Sequence, residues 1–115
     1  MDNSKQYSNS RSEINVSIAN GATESSVINT HGTSLGALFL PANIVGSTIT
    51  IKASRDGNTF SNIRTSKNNV VELQFTYGDC VLWQFGDLKN VQYFKLVTNV
   101  AQTSDVQIVA TTSPV

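Results

Sequence analysis

Apolar and polar positions alternate most cleanly just before the middle of the chain, where Ile49, Ile51 and Ala53 fall on one side and Thr48, Thr50 and Lys52 on the other. Successive side chains of a strand point to opposite faces, so this spacing predicts a strand with one face buried and the other wet. The strand runs into Arg55-Asp56-Gly57-Asn58 and returns through Thr59 and Phe60. Asp-Gly supplies the positive backbone angle that a tight or bulged hairpin turn requires, because glycine has no Cβ to clash there. Residues 47–60 therefore read as strand, turn and return strand.

The pattern recurs along the chain. Ile14, Val16 and Ile18 alternate over residues 13–19, ahead of an Asn20-Gly21 turn and a short strand near residues 25–30 that His31-Gly32 breaks. Residues 33–40 are apolar on both faces, with Leu35, Ala37 and Phe39 on one and Leu38 and Leu40 on the other, as a central strand would be. Pro41 ends it, lacking the amide hydrogen that a ladder needs. Residues 41–46 have room for a single helical turn. Further strands are predicted at 59–64, 70–75, 80–85, 91–98 and 105–110, with Val81, Trp83 and Phe85 sharing a face and Tyr93 and Val97 opposite Phe94 and Leu96. Short strands with Gly or Asn between them predict an all-β fold, an antiparallel β-sandwich or jelly roll of about eight strands. An α/β layout would need intervening helical patterns of about 10–15 residues, and the sequence offers none.

Composition adds what the surface must be. A chain of 115 residues suits one domain, large enough to bury roughly 60% or more of its extended surface without staples. Residues 1–12 are polar and low in complexity and read as an extended N-terminal arm, leaving 13–115 as the β-sandwich domain. Charged residues make up only 14% of the chain, against about 25% in an average domain. Ser, Thr and Asn supply about a third of the positions, so hydroxyls and amides form the surface. Eight basic and eight acidic side chains give no net field to gather phosphates, which argues against nucleic acid as a partner. No run of about 18 apolar residues suggests a membrane span, and the polar start of the chain does not resemble a secretory leader. Synthesis in a cytosol is the expectation.

Candidate chemistry is sparse. The single cysteine, Cys80, excludes an intrachain disulfide, and its apolar neighbours predict a buried, inert thiol. The single histidine, His31, sits in a predicted loop, His31-Gly32-Thr33-Ser34, where a surface or structural role is expected, and a serine triad would need a better-placed histidine. Asp56, Asp79, Asp87 and Asp105 each lie at or beside a turn, where carboxylates accept backbone hydrogen bonds. Asp56-x-Asn58 lacks the remaining ligands of a calcium loop, and no Cys/His cluster suggests a transition metal. Catalytic residues, cofactor and metal are therefore all expected to be none. Of the aromatic residues, Tyr77, beside Gly78, is the one expected at the surface, where a ring can stack on a sugar.

Several of these segments together resemble a known kind of protein. Ser54-x-Asp56-Gly57-x-x-Phe60 after a strand, the turn Phe85-Gly86-Asp87, then Tyr93-Phe94-Lys95-Leu96-Val97 and Ala101-Gln102 before a last strand resemble small β-sandwich decoration or cement proteins of tailed phages. The resemblance covers roughly residues 24–111. It implies a non-enzymatic virion protein on the capsid surface that contacts the major capsid protein and neighbouring copies of itself, with a trimer on a symmetry axis as the expected assembly. Asp2, Asn3, Lys5, Tyr7 and Arg11 of the arm would then make partner contacts. Ile14, Val16 and Ile18 would complete a neighbour's sheet, as added strands do. The same hairpin is also similar to discoidin-type carbohydrate-binding jelly rolls, although this chain lacks their flanking cysteine pair and is shorter. That resemblance implies a host-attachment module in which Tyr77 stacks on a glycan.

Overall fold

The computed structural model describes residues 12–64, 67, 69–82 and 91–113. Nine strands are present among them: β1 (Ser12–Ile18), β2 (Ile28–Asn29), β3 (Ser34–Phe39), β4 (Thr48–Ser54), β5 (Ser61–Asn62), β6 (Glu72–Gln74), β7 (Cys80–Leu82), β8 (Tyr93–Thr98) and β9 (Val106–Ser113). They form two antiparallel sheets. One has the order β1-β9-β3-β7; the other has β2-β8-β4-β5, with β6 beside β5 along the same side of β4.

This arrangement is a jelly roll. β1 pairs with β9, β2 with β8, β3 with β7, and β4 with β5 and β6, so the chain is a ribbon doubled over at residues 55–60 and wrapped into two layers. Alternation drives the wrapping, because each strand has one apolar face to bury. Val16 and Ile18 of β1, Leu35 and Leu38 of β3, and Val106, Ile108 and Ala110 of β9 meet Ile28, Ile49, Ile51, Phe94 and Leu96 from the other sheet. Most of these side chains are fully buried.

Two expectations change. β3 carries a register shift between Leu35 and Ala37, so Leu35 joins Leu38 and Leu40 in the core while Phe39 is 45% exposed. An inserted residue at a bulge flips the alternation that the sequence implies. β1 pairs with β9 of its own chain from Ser12↔Thr112 to Ile18↔Val106, with Val16 and Ile18 in the core, and it forms the edge of its sheet. Cys80 is exposed, because β7 is an edge strand packed on one side only. Residues 41–46 contain a single turn, in which the Ile44 amide donates to the Pro41 carbonyl. Trp83 and Phe85 lie outside the described residues.

Candidate interaction surfaces

The doubled ribbon puts its loops at two ends. At one end the 76–79 turn is closed by the Asp79 carboxylate, which accepts a hydrogen bond from the Thr76 amide at 3.0 Å, and by Gly78 at a φ of 80°. Between them Tyr77 stands 65% exposed, as the sequence predicts. Beside this turn Ser47, Thr48, Gln74, Phe75, Thr76 and Asp79 line an open hollow of about 470 Å³. Hydroxyls, an amide and a carboxylate beside an exposed ring can meet a sugar's hydroxyls and its apolar face.

The loops at this end are held by side chains the sequence reading left without a role. Gln102, 2% exposed, accepts from the Val45 amide and donates to the Val45 carbonyl, both at 2.9 Å. Asn99 Oδ1 accepts from the amides of Ser47 and Thr48 at 2.9 and 3.2 Å. A glutamine between Ala101 and Thr103 gives no periodic signal, and only its burial reveals the function.

The opposite end contains residues 55–60. Asp56 Oδ1 accepts from the amides of Asn58 and Thr59 at 2.9 and 3.1 Å and from the Ser54 hydroxyl at 2.9 Å. The two amides and the hydroxyl hold its carboxyl down at about 2. Ser54 Oγ in turn accepts from the amides of Asp56 and Gly57. Asp56 is thus a turn residue whose Oδ1 accepts all three bonds. His31, at a φ of 53°, occupies the neighbouring turn, its amide donating to Asn29 Oδ1 at 2.9 Å. Among the described residues no group of His, Cys, Asp and Glu is placed to hold a metal ion, and no helix is long and apolar enough to cross a membrane.

The outer face of the β1-β9-β3-β7 sheet carries an apolar strip. Phe39 pairs with Cys80 and Ala37 with Leu82, which is 65% exposed. Its far edge, β1, has Ile14 half-buried and Glu13 exposed. Of the proposed contact residues, Asp2, Asn3, Lys5, Tyr7 and Arg11 lie outside the described residues. The structure therefore places Ile14, Val16 and Ile18 on one strand and Tyr77 at the opposite end of the sandwich from Ser12, without joining them into one site.

No family model matches the chain, and no curated protein matches it. Its fold is similar to that of YomS, a protein derived from the SPBc2 prophage, with a TM-score of 0.56 and 13% identity over 89% of this chain and 93% of that one. A looser likeness, with a TM-score of 0.41 and 11% identity over 91% of this chain and 86% of the other, is to the mitogen of Yersinia pseudotuberculosis. The first likeness fixes the fold; the second is too loose to carry an argument.

Proposed function

We propose that this chain is a non-enzymatic virion structural protein, a capsid decoration or cement subunit that binds the outside of a phage shell and stabilises it through protein–protein contacts. The observation that carries this reading is the near end-to-end likeness of its jelly roll to a prophage-derived protein. Two features of the surface support it. The protein has no net charge, and the apolar strip of Phe39 and Leu82 is available for a flat contact with another protein. Its partners are the major capsid protein and further copies of itself, in a trimer, on the particle surface after synthesis in the host cytoplasm. The test is to add purified protein to particles prepared without it. Saturable co-sedimentation and a higher temperature of particle disruption are expected, since a ligand that prefers the intact shell stabilises it by mass action. Absence of both removes the reading.

A second reading, a carbohydrate-binding module for host attachment, is favoured by one feature, exposed Tyr77 beside the hollow at Gln74, Thr76 and Asp79. Glycan binding that Tyr77→Ala abolishes, with particle stability unaffected by the protein, would install this reading in place of the first.

A further inference from the structure

Lys52 of β4 and Lys95 of β8 are direct cross-strand partners on the outer face of the second sheet. Like charges placed opposite each other are destabilising, and their Cβ atoms stand only about 5 Å apart. One carboxylate answers both: Glu24 Oε2 lies 3.3 Å from Lys52 Nζ, and Oε1 lies 3.4 Å from Lys95 Nζ. Glu24 reaches them from a segment laced to β8 by a bridge to Val97 and by the Ser25 amide on the Leu96 carbonyl. Its side chain is nevertheless 46% exposed, while the lysines are 28% and 26% exposed. Lys95 Nζ also lies over the Phe60 ring, 4.9 Å from its centroid, a cation–π contact. Glu72, on β6 opposite Thr50, makes no ion pair with either lysine. The carboxylate that spans the two ammonium groups is thus the most exposed member of the cluster.

We propose that Lys52 and Lys95 form a two-ammonium clamp for an acidic side chain of a protein partner, with Glu24 as the internal carboxylate that the partner's carboxylate displaces. This deepens the decoration reading, on which the choice of a protein partner rests, by naming the face that meets the shell. The clamp lies on the flat middle of a sheet and not in the hollow beside Tyr77, so it suits a side chain projecting from another surface better than a sugar that must be enclosed. Two ammonium groups against one carboxylate leave the cluster a single positive charge, which makes binding of a further carboxylate weak per site, salt-sensitive and additive over copies on a shell.

The test is an NMR titration of the full chain with a hexaglutamate peptide at low salt, beside hexagalacturonate as the sugar acid. Peptide-induced shifts should centre on the amides of Glu24, Lys52, Lys95 and Phe60. Glu24→Gln should tighten the peptide several-fold, and Lys52→Gln with Lys95→Gln should abolish the shifts while melting stays cooperative. Shifts elsewhere, an unchanged response in the double variant, or a response to the sugar acid alone would overturn the clamp. Co-sedimentation separates the two levels of the idea. If wild type and the double variant bind shells equally, the clamp is wrong and the decoration reading stands. If wild type does not bind shells, that reading falls, and the peptide titration still decides the clamp.

Discussion

Gln102 and Val45 are joined as two strands would be: one carboxamide accepts from the Val45 amide and donates to its carbonyl, both at 2.9 Å, inside a site where Gln102 is 2% exposed. The same Nε2 also donates to Thr98 Oγ1 at 3.1 Å. The side chain thus ties the 41–47 connection to the one after β8. Gln102→Ala would strand buried backbone groups, and unsatisfied buried groups cost about 1–3 kcal/mol each. A loss of about 3 kcal/mol in urea denaturation is expected, and a midpoint within error of wild type would show that water replaces the amide.

Gly57 has a φ of 84°, and a Cβ there would meet the Tyr93 ring at 3.3 Å. Gly78 has a similar φ of 80° with nothing within 4 Å of a Cβ. The pair separates backbone strain from crowding. Gly78→Ala should cost about 1–2 kcal/mol, the penalty of left-handed backbone for a side chain, and Gly57→Ala should cost more. Equal losses in denaturant would mean that Tyr93 moves aside freely.

Acid should loosen the 55–60 loop. The Asp56 carboxyl titrates at about 2 in the folded chain, below its ordinary 3.8, because the Asn58 and Thr59 amides and the Ser54 hydroxyl favour the charged form. A depressed folded value means that the contribution is fully present above about pH 4 and is lost as pH falls toward 2. Glu24, lowered chiefly by its hydrogen bond and charge contact with Lys52, acts in the same direction. The melting midpoint should therefore fall across this window, less steeply in Asp56→Asn than in wild type. Identical slopes would remove Asp56 from the account.

Burial separates two leucines of similar strand context. Leu96 is fully buried and Leu82 is 65% exposed. Leu96→Ala should cost about 2–5 kcal/mol as a core truncation, whereas Leu82→Ala should stay within about 0.5 kcal/mol. Thermal melts of both variants check this, and a large loss at Leu82 would mean that the strip is covered within the protein.

Strands whose two faces differ were legible in the sequence. β4 and β8 follow their alternation, and Asp56-Gly57 marks the turn where a carboxylate and a left-handed glycine are both needed. Legibility failed where a residue's fate depends on its neighbours in space. Nothing near Gly36 signals the bulge that turns Leu35 inward, and the apolar run at Cys80 does not say that β7 stands at an edge. Gln102 and the Glu24–Lys52–Lys95 cluster were hidden for the same reason, since their partners lie 57, 28 and 71 positions away.

The nested pairing of the ribbon also sets the order in which the chain can close. Lys52↔Asn62 joins residues about ten apart, whereas Ser12↔Thr112 joins residues about a hundred apart. Loop-closure entropy makes the second contact about 2 kcal/mol dearer if it forms unaided. Each pair formed from residues 55–60 outward shortens the loop left for the next, so zipping from the doubled-over tip is the least costly route. On that route the pairing of β1 with β9, which joins the two ends of the described chain, comes last.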